Sequence, residues 1–223
     1  MKRSRGISKH TAPRKPKRPY HHGSLPKALL EAAEIVLRRD GLAGLSLRAI
    51  AREAGVSHTA PKGHFDDTMG VFSELAAIGH RRLINEMAAY SKDLPSGKLQ
   101  RQAIARGYVN FAINNPDLFR LMARKELLDP ERPALAEAIA ASVRALDGIF
   151  APFAKARAST SLDAGQAIAT TAGWAYVHGL ATLLIDNQLV QIAGATDVFQ
   201  NPRELVDAVL GRMIIIPDPD LKS

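Results

Sequence analysis

Residues 56–65 read V-S-H-T-A-P-K-G-H-F and concentrate hydrogen-bonding and cationic side chains in one short stretch. His58 and Thr59 can donate or accept hydrogen bonds, and Lys62 carries three N–H donors on a positive charge. Residues of these types are rarely buried, so the stretch would make a poor hydrophobic core. Its composition instead predicts an exposed surface that recognises hydrogen-bonding groups, for which the edges of bases and backbone phosphates are suitable partners.

Other kinds of chemistry find little support in the sequence. The chain has no Cys, which excludes disulfides, thiolate nucleophiles and Cys-based zinc sites. There is no nucleophile elbow, phosphate-binding Gly-rich loop or paired-carboxylate motif, so we expect no enzyme activity and no cofactor. His21 and His22 are adjacent, and His58 and His64 are six residues apart. Because two helical metal ligands need a spacing of three or four, we expect no metal site.

The elements that must position residues 56–65 follow from the flanking sequence. Ser46 is predicted to cap a helix over 47–54, and Gly55 supplies the backbone freedom for a sharp turn. Ser57 is predicted to cap a further helix that runs to about His64. Two short helices joined by a tight turn form a helix-turn-helix, whose second helix enters the major groove of DNA.

This unit gives individual residues predicted roles. His58, Thr59 and Lys62 are predicted to read base edges, although His58 could instead contact a phosphate without selecting a base. Ser46 and Arg48 stand where the backbone N–H groups at a helix N-terminus attract phosphate, so they are predicted to hold the DNA backbone. The alternatives are a simple helix cap for Ser46 and a solvated surface charge for Arg48.

The N-terminal arm, residues 1–22, carries all of the excess charge. It holds eight basic residues and no acidic one, and the whole chain has a net charge of +8. The arm has few apolar residues to bury, so it is predicted to be disordered on its own. Either it is a solubilising tail, or it contacts phosphates and the minor groove.

From residue 24 onward the apolar pattern is helical, which predicts an all-α protein of about nine helices. The first helix spans about Ser24–Arg39. The fourth spans about Thr68–Tyr90, and its apolar residues recur every three or four positions: Phe72, Leu75, Ala76, Gly79, Leu83 and Met87. Later helices are predicted at about 98–114, 116–127, 131–156, 161–187 and 202–216. No export signal is visible, and the longest apolar run, 172–185, is shorter than the ~20 residues of a membrane span. We therefore expect a cytoplasmic protein with no membrane partner.

Two further features concern the C-terminal helices. The 161–187 helix is rich in small residues and the 202–216 helix has a continuous apolar stripe, so the two are predicted to pair with each other or with a second copy. Aromatic and Met side chains on the middle helices could line a small-molecule cavity or belong to the core. The candidates are Tyr108, Phe111, Phe119, Met122, Phe150, Phe153, Trp174 and His178. Trp174 and His178 are four residues apart and so share a helical face, either at the edge of the cavity or with Trp174 in the core and His178 hydrogen-bonded.

The sequence resembles the TetR family of bacterial transcriptional regulators. The resemblance is carried by Y-H-H-G-S-L-P-K-A-L-L-E-A-A (20–33), G-L-A-G-L-S-L-R-A-I-A-R-E-A-G-V-S (41–57) and H-F-D-D (64–67). The segment G-W-A-Y-V-H-G-L-A (173–181) resembles the subgroup with a Trp-x-x-x-His-Gly signature.

The resemblance implies a homodimer with an N-terminal three-helix DNA-binding domain, 23–67, and a C-terminal ligand-binding and dimerisation domain, 68–223. It also implies a phosphate contact for His64, for which packing against the first helix is the alternative. Lys62 and Thr68 stand where the family usually has a Tyr and a Lys that touch phosphate. The candidate DNA contacts are Ser46, Arg48, Ser57, His58, Thr59, Lys62, His64 and Thr68, together with Arg14, Lys15, Lys17 and Arg18 of the arm.

The function expected on these grounds is that of a ligand-responsive regulator, most often a repressor. A homodimer would bind a pseudo-palindromic double-stranded DNA operator and be released by a small-molecule effector of unknown identity. Lys62 and Thr68 keep a second hypothesis open, in which the protein is a helix-turn-helix interaction protein with weakened DNA binding.

Overall fold

A computed structural model describes residues 25–95, 97–150 and 164–212, with the side chains of 147–150 outside that description. Within these ranges the chain is helical and contains no strand, which confirms the predicted all-α class. The described part holds ten α-helices rather than about nine. They are α1 (Leu25–Gly44), α2 (Leu47–Ala54), α3 (Ala60–Phe65), α4 (Thr68–Ser91), α5 (Lys98–Asn114), α6 (Pro116–Ala123), α7 (Pro133–Phe150), α8 (Ala164–Ile185), α9 (Val190–Gly194) and α10 (Pro202–Gly211).

Helix α2 has the bounds and both end signals that the sequence predicts. The Ser46 hydroxyl accepts a hydrogen bond from the Ala49 amide at 3.2 Å, which satisfies one of the free N–H groups of the first turn. Gly55 ends the helix in the left-handed region, with φ 70°. Val56 N–H then donates to the Ala51 carbonyl at 3.0 Å, which turns the chain sharply towards α3.

Helix α3 is shorter than predicted and begins later. It starts at Ala60, with Thr59 before it and no side-chain cap, so the prediction that Ser57 caps this helix is wrong. The Ser57 hydroxyl instead lies 3.2 Å from the Thr59 hydroxyl. Pro61 in the first turn explains the later start, because proline has no N–H and its ring clashes with a preceding helical turn.

Other boundaries differ from prediction in ways that have local causes. The predicted 116–127 helix is interrupted at Arg124 (φ −90°, ψ 71°), and a 3₁₀ turn, Lys125–Leu127, follows it. Helix α7 begins at Pro133 rather than near 131. Helix α9 was not predicted, since five residues are too few to show a periodic pattern.

Helix α4 forms the centre of the molecule and packs against α5 and α7 along its length. Its predicted apolar face is buried, including Leu75, Leu83 and Met87. Gly107 of α5 allows α5 to approach closely, because a Cβ there would lie 2.8 Å from the Met87 Cα. Backbones that cross this closely fix the direction of α4 relative to the C-terminal helices.

Helix α8 is apolar but poorly covered by its own chain. Ile168, Trp174, Tyr176 and Leu183 are each at least 36% exposed. Among the described residues it is the one helix whose length and composition would suffice to cross a membrane, which alone is weak evidence of a membrane protein. Helix α10 contacts α8 and buries Val206 and Leu210.

A half-buried histidine on α4 gives the fold a predicted pH dependence. His80 lies inside the α4–α7 contact, where its Nδ1 is 2.9 Å from the Ser142 hydroxyl, and burial lowers its pKa to about 4. The unfolded chain, with an ordinary His pKa of 6.5, binds this proton first as the pH falls. His80 therefore does not lower the free energy of unfolding above about pH 6.5. Below that pH it lowers this free energy progressively as the pH falls towards 4.

The free energy of unfolding of the wild type should decrease between pH 7 and pH 5. In His80→Asn this decrease should be smaller by roughly 2 kcal/mol, because Asn has no proton to gain. Urea unfolding at the two pH values measures this difference. Thr59→Asn, at an exposed residue that does not titrate, is the matched control and should leave the pH dependence unchanged. An equal pH dependence for wild type and His80→Asn would contradict the prediction.

Candidate nucleic-acid interface and aromatic cluster

The polar side chains of the 56–65 stretch face solvent and form an exposed polar surface on α3 and the turn before it. Ser57, His58, Thr59, Lys62 and His64 are all exposed. Pro61 and Phe65, on the opposite side of α3, are buried and anchor the helix to the core. Because α3 starts at Ala60, His58 and Thr59 lie in the turn that leads into the helix rather than on it. Lys62 and His64 lie on α3 itself.

Three further predicted contacts lie near this surface. Ser46 and Arg48 are exposed at the start of α2, where backbone N–H groups point towards solvent. Thr68 is half-buried and is the first residue of α4, which Asp67 caps by accepting from the Gly70 amide at 2.8 Å. Arg14, Lys15, Lys17 and Arg18 lie outside the described residues, as does the rest of the arm.

An ion-pair network braces the helices behind the surface. The Arg39 guanidinium on α1 donates to Glu53 of α2 at 2.7 Å and to Asp40 at 2.9 Å. The hydrogen bond from Arg39 holds the pKa of the Asp40 carboxyl below its usual range. These exposed pairs contribute little stability individually, but they fix the angle between α1 and α2.

A second arginine joins the first helix to α4. Arg82 forms a bidentate pair with Glu34, with N–O distances of 2.5 and 2.8 Å. The hydrogen bond from Arg82 is the main cause that lowers the pKa of Glu34. Because α4 continues into the packed C-terminal helices, this pair ties the orientation of the helix-turn-helix to the rest of the molecule.

A third arginine, which sequence reasoning missed, holds the end of α3. Arg132 Nη2 donates to the Phe65 carbonyl at 3.2 Å and to the Asp66 carboxylate at 3.1 Å. Arg132 Nη1 lies 3.5 Å from a carboxylate oxygen of Glu74 on α4. The partners are 58 to 67 positions away in the chain, so no local pattern reveals them.

Four of the candidate ligand-binding residues meet in one cluster of rings, contributed by α5, α6 and α8. The ring centroids of Tyr108 and Phe119 are 5.8 Å apart, and those of Phe119 and His178 are 5.1 Å apart. Trp174 and His178, predicted to share a helix face, have centroids 5.7 Å apart. The structure therefore brings Tyr108, Phe119, Trp174 and His178 together.

Hydrogen bonds fix these rings. Trp174 Nε1 donates to the Tyr108 hydroxyl at 3.2 Å, and that hydroxyl lies 3.0 Å from His178 Nδ1. Burial raises the pKa of Tyr108 to about 12 and lowers the pKa of His178. The raised pKa of Tyr108 and the lowered pKa of His178 both favour uncharged side chains at neutral pH. A donating Tyr hydroxyl and an accepting, neutral imidazole are compatible with that charge state.

The remaining candidates make none of these ring contacts. Phe111 is buried in the main core. Met122 packs against Gly79 of α4, where its sulfur lies within 2.6 Å of the position a Cβ would take. The Phe150 side chain and the whole of Phe153 lie outside the described residues.

The described helices also leave a cleft of about 150 Å³, and it is not at the ring cluster. It lies between α1 and α6 and is lined by Glu34, Leu37, Arg38, Asn114, Asn115, Pro116, Asp117 and Leu118. Within the same described ranges, no group of three or more His, Cys, Asp or Glu side chains is placed to hold a metal ion.

Two family models match the chain. Residues 29–75 match the model for bacterial regulatory proteins of the tetR family, and residues 102–212 match a tetracyclin repressor-like C-terminal domain. The first match contains α2 and α3 with the exposed polar surface, and the second contains the ring cluster.

Individual relatives agree with these models. The chain is 34% identical to a protein of unknown function from Rhodococcus sp. RHA1, with a TM-score of 0.65 over 87% of this chain and 96% of that one. PfmR of Thermus thermophilus, a TetR family transcriptional regulator, shares the fold at 16% identity, with a TM-score of 0.55 over 82% and 94% of the two chains. The uncharacterised HTH-type regulator YobS of Bacillus subtilis (strain 168) is 29% identical over 97 residues, which cover 44% of this chain and about half the length of YobS.

Proposed function

Because the chain belongs to the TetR family of transcriptional regulators, which are DNA-binding proteins and not enzymes, we propose that it is a repressor that an effector releases from DNA. In this proposal residues 23–67 bind DNA, residues 68–223 bind the effector and dimerise, and the arm of 1–22 contacts phosphates. The protein acts in the cytoplasm. The observation that carries the proposal is the exposed polar surface formed by α3 and the turn before it.

The chemistry of that surface supports base reading. The Thr59 methyl group can contact a thymine methyl, and Lys62 can reach guanine acceptors in the major groove. His58 can donate to a base or a phosphate. The residues that would hold the DNA backbone are Ser46, Arg48, Ser57, His64 and Thr68. Lys62 places a cation where the family usually has a Tyr. Its ammonium group can donate to a phosphate or to a base.

A homodimer is supported by the uncovered apolar surface of α8. Its exposed Ile168, Tyr176 and Leu183 would be buried against the same helix of a second copy, together with the outer face of α10. A two-fold pair places two α3 helices for two half-sites about one DNA turn, ~34–36 Å, apart. The predicted extensions of these helices, to 161–187 and 202–216, include positions outside the described residues.

The effector site is proposed to include the ring cluster of Tyr108, Phe119, Trp174 and His178. Tyr108 and Phe119 are buried in the core, whereas Trp174 is 45% exposed, so an apolar effector would reach the cluster from the Trp174 side. The assignment to the Trp-x-x-x-His-Gly subgroup remains a prediction. An effector can shift the regulator only by its difference in affinity for two conformations, and a change from 1:99 to 99:1 requires roughly 5.5 kcal/mol.

Selection of duplexes from a random library by the full-length protein tests this proposal. The expected result is a pseudo-palindromic consensus, bound more weakly as salt increases. The competing interpretation, a helix-turn-helix interaction protein with weakened DNA binding, predicts no enriched sequence. Enrichment of single half-sites with no spacing rule would contradict the dimer.

A further inference from the structure

The segment that leads into α7 is attached to the start of α4 by a hydrogen bond to a buried serine. The Ser73 hydroxyl, which is fully buried, donates to the Met69 carbonyl at 2.8 Å and accepts from the Asp129 amide at 2.9 Å. Leu128, beside it, is buried in the core. The Asp129–Arg132 turn therefore cannot move without disturbing the first two turns of α4.

Arg132, at the end of this turn, extends across α4 to the end of α3. One guanidinium nitrogen donates to both the Phe65 carbonyl and the Asp66 carboxylate, and the other faces Glu74. The side chain is only 19% exposed, and within the described residues its buried Nε has no hydrogen-bond partner. A buried donor without a partner is unfavourable. The contacts of its other two guanidinium nitrogens must offset that cost.

Two backbone features near Arg132 accompany the close contact between its side chain, α3 and α4. A Cβ on Gly70 would overlap the Phe65 carbonyl oxygen and lie 2.6 Å from Arg132 Nη2. Asp66, the residue directly after α3, has a φ of 67°, which is uncommon for a residue with a side chain. Only a glycine at 70 allows α3, α4 and the guanidinium to meet at this point.

We propose that Arg132 is the positioning residue through which the C-terminal helices hold the end of α3 in the orientation that DNA requires. Helix α3 has six residues and buries only Pro61 and Phe65, so few other contacts fix its direction. A displacement of the Asp129–Arg132 turn pulls on the Phe65 carbonyl and tilts α3. This inference rests on the proposed DNA-binding function and adds a connection between the effector domain and the reading surface.

The test compares Arg132→Gln with a matched control. Arg120→Gln removes a guanidinium with the same kind of partners: the Ile185 carbonyl at 3.3 Å, Asp186 at 2.7 Å and Asp117 at 3.4 Å. All of these lie in the C-terminal helices and none touches α3. Affinity for a selected operator should fall about tenfold in Arg132→Gln, whereas affinity for a scrambled duplex should stay within about twofold. Arg120→Gln should keep the wild-type ratio of the two affinities.

Hydrogen exchange in the free protein gives a second readout that needs no DNA. The amides of α3 should exchange about tenfold faster in Arg132→Gln and at the wild-type rate in Arg120→Gln. If Arg132→Gln does not unfold cooperatively, Arg132→Lys replaces it, because one ammonium group cannot contact both the Phe65 carbonyl and Glu74. Unchanged exchange in α3, or equal effects in the two variants, overturns the inference. If the wild-type protein selects no DNA but α3 still exchanges faster in Arg132→Gln, the connection between Arg132 and α3 is supported. Only the proposed function is then rejected.

Discussion

Removal of residues 1–18 should weaken binding to every DNA duplex by about the same factor and should flatten the dependence of log Kd on log salt. These residues carry all eight basic side chains of the arm and no acidic one. Each phosphate that a Lys or Arg neutralises contributes ~0.9 to the salt slope, without regard to sequence. An arm that contacts several phosphates therefore changes affinity by orders of magnitude at low salt but leaves the choice of operator intact.

Fluorescence anisotropy between 50 and 200 mM salt, roughly the range over which phosphate contacts change affinity most, measures both quantities. A chain with the order of residues 1–18 scrambled is the matched control, because it keeps the composition and charge. It should bind like the wild type if the arm acts through its charge. A truncated protein with the wild-type salt slope would show that the arm is only a solubilising tail.

Replacement of His58 or Thr59 by Ala should relax sequence preference, with a loss of ~1–3 kcal/mol of discrimination at the affected base pair for each substitution. Both side chains are exposed in the turn that enters α3, so their removal should not disturb the core. Affinity for operators with single base-pair changes, measured for each variant, gives the loss position by position.

Ser46→Ala provides the contrasting case. It removes the cap that binds the Ala49 amide and a predicted phosphate contact, so it should weaken all duplexes about equally. If His58→Ala behaves in the same way, His58 is a phosphate contact, which is the alternative that the sequence leaves open. The same result for Thr59→Ala would move base reading to Lys62 and the rest of α3.

Sequence reasoning succeeded where local chemistry determines the structure. Helix α2 begins after Ser46 and ends before Gly55, as predicted. Both signals act within a few residues: the serine hydroxyl caps the first turn, and the glycine accepts a positive φ. The buried face of α4 also follows from a helical repeat. The start of α3 was misplaced because Ser57 is a good cap by type, whereas Pro61 four residues later prevents a helical turn before it.

The parts that could not be predicted depend on contacts between distant positions. Nothing near Arg132 in the sequence indicates that its partners are Phe65, Asp66 and Glu74. The ring cluster was predicted in part, since Trp174 and His178 share a helix face. The packing of α5, α6 and α8 decides which of the other aromatic residues join them.

The two arginines that cross from the C-terminal helices to the first three helices bear on the construction of biosensors from this protein. An engineer who joins residues up to Asp67 to another effector domain would keep every proposed DNA contact except Thr68, yet would separate Glu34 from Arg82 and Phe65 from Arg132. Such a hybrid should bind its target as weakly as Arg132→Gln does and should not respond to its inducer. Transplants that also carry α4 as far as Arg82 and an arginine at the entry to α7 are the ones that should switch.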